Sequence, residues 1–281
     1  MAAFTATDVK ALREKTGAPM MDCKKALEAT GGDITAAEDH LRKLGLKAAG
    51  KKVGRATGEG RCYFKTTDDG QRGAMVAVAC ETDFVAATED YNNFLVALCD
   101  HVLEHKTPSV EALLEESWAG GGTVQDALTE TIGKLGENMS VANVKFIAAD
   151  GGFVGGYIHH NNKVGVLSAV TTSAAREDAE ATLKQLGMHA AALPPTALSR
   201  DDIDPELIAR EKAIYLEEVK NKPEDIQEKI IGGKLNKYFA GVALREQPWV
   251  MDDSMSVEKA VAKALGAGTV ITDYARFNIG E

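Results

Sequence analysis

The segment RCYFKTTDDGQRGAMVAVACETDFV, residues 61–85, carries a strong signal for β-structure. Two runs rich in apolar and aromatic residues flank DDGQR, in which Asp69-Gly70 is a strong hairpin-turn signal. A strand normally gives way to polar, Gly or Pro residues. Here Asp83 and Phe84 follow instead. The segment therefore predicts a β-hairpin whose second strand ends at a corner. Phe84 is there either an ordinary core aromatic at a strand end or an unusual exposed apolar side chain.

Helical and strand patterns alternate downstream of this hairpin. Apolar residues at helical spacing predict a helix over residues 90–104, and strand patterns return from Val141. A hairpin followed by a helix thus occurs twice, at 61–105 and at 153–191. This repeated order predicts an α+β core of two similar subdomains with antiparallel sheets, residues 61–140 and 141–281.

Three short helices are predicted upstream, within residues 5–45. A capping-box spacing at Thr5 and Asp8 opens the first helix, and Thr35 with Glu38 is predicted to open the third. Glycines separate the helices, and Gly45 is predicted to end the third. We therefore expect a compact three-helix head at residues 1–46. The Gly-, Ala- and Lys-rich residues 47–60 are predicted to be a flexible linker.

A pair of proline-initiated helices is predicted at about residues 205–240. Asp204-Pro205 is a favourable helix start, and Pro223 opens a second helix after a short joint. Helices joined this closely fold back antiparallel. Charged residues line both helices densely and apolar positions are few, which predicts a helical hairpin protruding from the second subdomain.

Composition excludes several classes of protein. The net charge is −10, which argues against direct binding of nucleic acid, because that affinity comes from neutralising phosphates. Residues 1–60 hold 11 Lys or Arg and 8 Asp or Glu, a net of +3, so the remainder carries −13. A slightly basic head on an acidic body fits docking to a protein. Neither a membrane span nor a targeting segment is indicated, which predicts a cytoplasmic protein.

Motifs for catalysis and cofactors are missing from the sequence. The four cysteines are far apart, without a C-x-x-C pair, and are expected to be reduced and buried. Neither a P-loop nor a G-x-S-x-G elbow occurs. We therefore predict no enzyme activity and no cofactor.

The sequence contains two pairs of closely spaced histidines. His101-Val-Leu-Glu-His105 fits the H-x-x-E-H zinc pattern, but no third-ligand motif follows, so we predict a solvated helix end and no metal. His159 and His160 fall in a predicted hairpin turn, where a partner contact or ordinary turn chemistry is favoured over catalysis.

Two segments resemble the signature segments of a known family. TGAPMMDCKKAL, residues 16–27, and ETDFV, residues 81–85, closely resemble those of elongation factor Ts, the bacterial and organellar guanine-nucleotide exchange factor for elongation factor Tu. The resemblance extends along essentially the whole chain, including YIHHNNKVGVL at 157–167 and the final ARFNIG at 275–280.

The resemblance implies a partner and a mechanism. The head would be similar to a ubiquitin-associated (UBA) domain and would dock on the GTPase domain of elongation factor Tu. Thr82, Asp83, Phe84 and Val85 would reach toward the magnesium site of that GTPase. The chain would bind both the GDP-bound and the nucleotide-free partner, displacing Mg²⁺ so that GDP leaves and GTP rebinds.

The sequence also offers further candidate contacts with the partner and one rival function. Met20, Met21 and Asp22 are expected to contact the partner from the head, with one methionine packed inward, because adjacent residues do not share a helix face. His159 and His160 are additional contact candidates. A homodimer or a 2:2 complex is left open. The rival function is a UBA-type interaction adaptor without exchange activity.

Overall fold

The computed structural model describes residues 4–52 and 54–280, without the side chains of Leu46 and Ala48. Residues 1–3, Val53 and Glu281, which belong to the predicted head, linker and second subdomain, lie outside the described residues. The elements in chain order are α1 (Ala6–Thr16), α2 (Met20–Ala29), α3 (Ile34–Gly50), β1 (Glu59–Thr66), β2 (Arg72–Cys80), α4 (Asp83–Ala86), α5 (Glu89–His105), α6 (Val110–Glu115), α7 (Val124–Leu135), β3 (Met139–Ala148), β4 (Gly152–Ile158), β5 (Val164–Thr171), α8 (Arg176–Ala192), α9 (Pro205–Val219), α10 (Glu224–Val242), β6 (Pro248–Trp249), β7 (Asp252–Ser256), α11 (Val257–Leu265) and β8 (Val270–Asn278).

The fold is α+β, as the sequence predicts. Helices and strands occupy separate segments, and the two larger sheets have the strand orders β1-β2-β3 and β4-β5-β8. In each, a hairpin is followed by a helix, and a later strand joins the hairpin's second strand. The chain divides into two compact units. One holds residues up to Tyr63, Val76–Lys145 and the C-terminal residues from Asn278, and the other holds Phe64–Met75 and Phe146–Phe277.

The predicted hairpin turn forms as its chemistry requires. Gly70 adopts the left-handed region at φ 70°, which glycine enters without steric cost. Asp69 accepts hydrogen bonds from the Thr67 hydroxyl and the Gln71 N–H, at 2.5 and 2.9 Å. The Thr67 N–H donates to the Arg72 carbonyl at 2.9 Å, closing the ladder. The turn residues therefore set the register of β1 against β2.

The three helices of the head form, with two corrections at α3. The capping box of Thr5 and Asp8 is present at α1. The predicted start of α3 at Thr35 is wrong, because the side chain of Asp33 caps the helix by accepting the Ala36 N–H at 3.0 Å. Asp is a more favourable N-cap residue than Thr, which accounts for the earlier start of the helix.

The predicted end of α3 at Gly45 is also wrong. The helix continues to Gly50, so the segment predicted as a flexible linker is helical over its first four residues, 47–50. A Cβ added at Gly133 of α7 would lie 3.0 Å from the Cα of Gly45. Gly133 therefore permits the close approach of α7 to α3, whereas a Cβ at Gly45 would make only an ordinary contact, 3.8 Å from the Cα of Gly133. Ala49 is buried in the extended part of α3.

Strand β5 contributes to two hydrophobic clusters in the second unit. Val166 and Val170 belong to a cluster with α8, Trp249 and α11, whereas Leu167 and Ala169 pack in another cluster with Met75 and Ile147. Side chains alternate between the faces of a strand, so both faces of β5 are covered. The near-continuous apolar run of this strand is therefore a consequence of burial on both sides.

Helices α9 and α10 pack against each other, joined by a four-residue connection. Lys234 forms an ion pair with Glu218 and lies over the Tyr215 ring, 5.1 Å from its centroid. Phe239 is buried near the end of α10, and the Arg200 guanidinium lies 4.7 Å from its ring centroid. No helix among the described residues is long and apolar enough to cross a membrane. None of the four cysteines is in a disulfide, and all four are buried, as predicted.

His189 is a fully buried titratable group on α8. Its ring stacks on Trp249, with centroids 5.2 Å apart. The Val250 N–H donates to Nδ1 at 3.2 Å, so the neutral ring carries its proton on Nε2, which lies 2.9 Å from the Gln247 side-chain oxygen. Burial lowers the pKa of His189 below 6.5, and the hydrogen bond to Gln247 opposes this only in part.

This lowered pKa predicts a pH-dependent stability. The unfolded chain binds the proton more readily, so the stabilising contribution is complete above about pH 6.5 and is lost as pH falls through the lower pKa of the folded state. We expect His189→Gln to reduce stability at pH 7 by about 1–3 kcal/mol and to flatten the loss of stability between pH 7 and 5. Urea unfolding at several pH values measures both. His160→Gln, at an exposed histidine, should keep the wild-type slope; an unchanged slope in His189→Gln would contradict the prediction.

Candidate functional site

The segment that follows β2, residues 80–86, forms a tight corner, which we call the corner. Thr82 caps the one-turn helix α4, and its Oγ1 accepts the Val85 N–H at 3.3 Å. Phe84 has 82% of its surface exposed, whereas Val85 is only 8% exposed. Asp83 is also exposed. The corner therefore presents an aromatic ring and a carboxylate to solvent, while Val85 anchors it in the core and does not present its side chain for contact.

Glu137, between α7 and β3, holds the corner through both of its carboxylate oxygens. The Thr82 N–H donates to Oε2 at 3.0 Å, and the Thr82 hydroxyl donates to Oε1 at 2.8 Å. Hydrogen bonds to an ionised carboxylate are shorter and stronger than those between neutral groups. Phe84 is therefore presented from a backbone with two charge-assisted attachments two residues away.

A second set of contacts also supports the corner. Glu81 accepts the Asn138 N–H at 2.6 Å and lies 3.4 Å from the Arg55 guanidinium. The Asn138 side-chain amide donates to the Arg55 carbonyl at 2.9 Å. These contacts join β2, the start of β3 and the chain between α3 and β1.

Side chains of helix α5 form further hydrogen bonds around the corner. The Asn92 side-chain amide donates to the carbonyls of Ala86 and Thr88, at 3.2 and 2.6 Å. The buried Tyr91 hydroxyl donates to the Val78 carbonyl and accepts the Arg61 N–H at 2.9 Å. Burial raises the pKa of Tyr91 far above its usual range, so this hydroxyl stays protonated and structural.

Cys80 at the start of the corner is not a nucleophile. Burial, with the negative charge of Glu137, raises the pKa of the thiol to about 11. The thiolate is the reactive form of cysteine, and it is scarce near neutral pH at such a pKa. The Cys80 Sγ instead donates to the Thr82 carbonyl at 3.1 Å. The contact of Cys80 therefore supports the geometry of the corner, and its thiol is not a reactive group.

The head presents both of its predicted methionines to solvent. Met20 is 45% exposed and Met21 is 60% exposed, so the expectation that one of them packs inward is wrong. Because α2 begins at Met20, its first turn extends past the bundle core, whose contacts on this helix start at Cys23. Asp22 is half-buried and pairs with Lys25 at 3.7 Å. The first turn of α2 is therefore an apolar surface patch.

His159 and His160 lie in the turn between β4 and β5, as predicted. The His159 N–H donates to the Val164 carbonyl at 2.9 Å, and its Nδ1 lies 3.1 Å from the Tyr157 hydroxyl. The two imidazole rings are 4.1 Å apart between centroids. His160 is exposed and His159 is half-buried. Asn162 adopts φ 58°, a conformation that asparagine tolerates better than most residues.

The predicted solvated helix end at His101 is wrong. His101 is only 7% exposed, and its Nε2 lies 2.7 Å from Oε2 of Glu116. Periodicity places His101 on the helix but does not reveal that the chain after α6 returns to cover it. His105 is exposed.

Comparisons with known proteins assign the chain to a family. The family described as Elongation factor TS matches residues 81–281. Elongation factor Ts of Trichlorobacter lovleyi is 42% identical over 290 residues, covering 99% of this chain and 93% of the relative. Elongation factor Ts of Sphingopyxis alaskensis is 42% identical over 291 residues, covering 100% of this chain and 94% of the relative.

The chain belongs to the elongation factor Ts family.

This member of the elongation factor Ts family has a site residue that sequence reasoning did not find. Glu137 is 55 residues from Thr82 in the chain, and a lone Glu after a helix-ending glycine carries no distinctive signal. Of the residues predicted from the sequence, Thr82, Asp83, Phe84 and Val85 lie in the corner that Glu137 holds. Met20, Met21 and Asp22 occupy the head, and His159 and His160 a separate hairpin.

Proposed function

We propose that the chain releases GDP from elongation factor Tu, so that GTP can rebind. The family's exchange factor acts on that GTPase, and exchange does not require this chain to catalyse a chemical reaction. The observation that carries the proposal is the 82% exposure of Phe84 on a corner held by Glu137. Large aromatic side chains are preferred anchors at protein interfaces. An aromatic ring held out on a fixed backbone is suited to insertion into a partner.

The proposed mechanism is displacement of Mg²⁺ and disturbance of the phosphate site. A GTPase holds its nucleotide largely through phosphate contacts and a bound Mg²⁺. Phe84 would wedge between side chains of the partner and shift the element that carries them. Asp83, exposed beside it, would rearrange hydrogen bonds near the ligands of the metal. Loss of Mg²⁺ then weakens the binding of GDP.

The energy for this step comes from binding. The chain must bind nucleotide-free elongation factor Tu more tightly than the GDP-bound form, and GDP must weaken the complex by the same factor. Each tenfold loosening of GDP requires about 1.4 kcal/mol of differential contact. The corner suits this purpose, because the hydrogen bonds to Glu137 make it already ordered before it meets the partner.

The head supplies a second contact in this proposal. We infer that α1, α2 and α3 form a UBA-like head whose first turn of α2 docks on the GTPase domain. Met20 and Met21 are both exposed there, and flexible thioether side chains suit an adaptable contact. His159 and His160 would add a third contact from the other unit. Protein contacts of this kind need neither nucleic acid nor a membrane, and we propose that the chain meets elongation factor Tu in the cytoplasm.

The α9–α10 pair, in this proposal, is an antiparallel arm protruding from the second subdomain. Leu207, Ile214 and Ile226 are exposed along it. Such an arm offers a surface for self-association, and a homodimer or a 2:2 complex with elongation factor Tu would use it.

Release of fluorescent GDP from purified elongation factor Tu tests the main proposal. Acceleration by catalytic amounts of the chain supports exchange activity. Binding to elongation factor Tu without acceleration would contradict it and leave a UBA-type adaptor.

The methionine contact has its own test. We expect Met20→Ser with Met21→Ser to raise the dissociation constant of the complex about fivefold, roughly 1 kcal/mol, because exposed apolar surface loses its burial in the complex. Isothermal titration calorimetry measures this change. Leu44→Ser, at an exposed apolar residue of α3, is the matched control. An unchanged dissociation constant in the double variant would remove the methionines from the interface.

A further inference from the structure

Three side chains that can ligate a metal lie together at the C-terminal end of α5. His101 and His105 are one helical turn apart, and their rings stack with centroids 4.1 Å apart and planes inclined by 17°. Glu116, which directly follows α6, brings Oε2 to 2.7 Å from Nε2 of His101. One ligand atom from each of the three residues lies within 4.8 Å of the other two.

Hydrogen bonds prepare His105 for this role. Its Nδ1 lies 3.0 Å from the backbone carbonyl of His101, which can only accept, so Nδ1 carries the proton. In the neutral ring, Nε2 is then left with a free lone pair. Metal-ligating histidines usually donate the other ring N–H to a carbonyl or carboxylate in this way. The exposure of His105 leaves a route for an ion to enter.

Glu116 is oriented by a buried partner. The Thr107 hydroxyl lies 3.0 and 2.9 Å from the two carboxylate oxygens and donates to them. On the other side, the Trp118 ring packs 5.4 Å from the ring of His101, which keeps the imidazole in place. Supporting contacts of this kind, outside the ligands themselves, commonly fix the geometry of metal sites.

We propose that His101, His105 and Glu116 form a binding site for one transition-metal dication such as Zn²⁺. Two imidazoles with one carboxylate suit zinc rather than magnesium or calcium, which prefer oxygen ligands. Tetrahedral zinc with bonds of about 2.0–2.1 Å sets ligand atoms about 3.3 Å apart, so His101 and Glu116 separate slightly and His105 closes in. Water completes the coordination. As the ion binds, the neutral His101 ring changes tautomer, so that Nε2 offers its lone pair to the metal and Nδ1 carries the ring proton.

The site is separate from the proposed exchange mechanism. The corner adjoins the N-terminal end of α5 and the ligands sit at its C-terminal end. The 17 residues of this helix span about 25 Å. A bound ion would close the loop between His105 and Glu116 and attach the end of α5 to the chain that follows α6. Metal binding therefore has a readout that does not depend on elongation factor Tu.

Titration of the metal-free full-length chain with Zn²⁺ and Co²⁺ tests the site. We expect one Zn²⁺ per chain by calorimetry, a raised Tm, and Co²⁺ absorption bands typical of four-coordinate geometry. His105→Ala and Glu116→Gln should each weaken the affinity about tenfold or more and abolish the Co²⁺ bands. Glu115→Gln, at the exposed neighbour of Glu116, should leave the affinity within about twofold, as expected for a residue outside the ligand set.

Two results would overturn the site. One is failure of the wild-type chain to bind Zn²⁺ with a dissociation constant of about 100 µM or lower, which corresponds to about 5.5 kcal/mol of binding free energy. A site with three protein ligands should exceed this affinity. The other is an equal affinity in the wild type and in His105→Ala, which would place any bound zinc elsewhere. His105→Ala carries this decision if Glu116→Gln unfolds, because the exposed His105 contributes little to the core. Circular dichroism verifies its fold.

Discussion

We expect Phe84→Ala to slow the release of GDP from elongation factor Tu by about tenfold or more, which corresponds to at least ~1.4 kcal/mol of lost contact in the complex. The reason is that the ring is 82% exposed in the free chain and would be buried only against the partner. For the same reason we expect the free energy of unfolding to change by less than about 0.5 kcal/mol.

Stopped-flow release of fluorescent GDP, with the chain at saturating concentration, measures the effect on exchange. Met188→Ala is the matched control, since Met188 is an exposed apolar residue on α8 in the other unit. It should keep the wild-type rate. A wild-type rate in Phe84→Ala would exclude the wedge, and a large fall in Tm would instead assign the ring a role in packing.

We expect Glu137→Ala to slow GDP release about tenfold, although Glu137 is not expected to touch the partner. The substitution removes both acceptors of Thr82 and leaves its N–H and hydroxyl without those bonds. This costs about 1–2 kcal/mol of stability and frees the corner to move, so the partner must order Phe84 on binding. Glu137→Gln keeps one side-chain acceptor and should lie between Glu137→Ala and the wild type.

A double variant distinguishes positioning from a separate contact. If Glu137 acts through Phe84, then Phe84→Ala combined with Glu137→Ala should release GDP no more slowly than Phe84→Ala alone. Strictly additive losses would show that Glu137 contributes independently of the ring. Glu130→Ala, at an exposed acid on α7, controls for the change of charge and should behave as the wild type.

The sequence was sufficient where the signals are local. Asp69-Gly70 identified the hairpin because few residues enter the left-handed region that its turn requires. The capping box at Thr5 identified the start of α1 for a similar reason, since both partners of the cap lie within three residues. The exposed Phe84 was predicted only through the family resemblance, because an aromatic residue at the end of a strand is otherwise an ordinary candidate for the core.

The tertiary structure alone decided the features that depend on distant residues. Gly45 has the sequence signal of a helix end, yet α3 continues through it and packs closely against α7 at Gly133. Glu137 and Thr82 meet across 55 residues, and Glu116 reaches His101 across 15, with the intervening chain folded back between them. Periodicity and capping describe one element at a time. A carboxylate acquires its role at the corner, or in the histidine cluster, only when packing brings it to a partner that the local sequence does not specify.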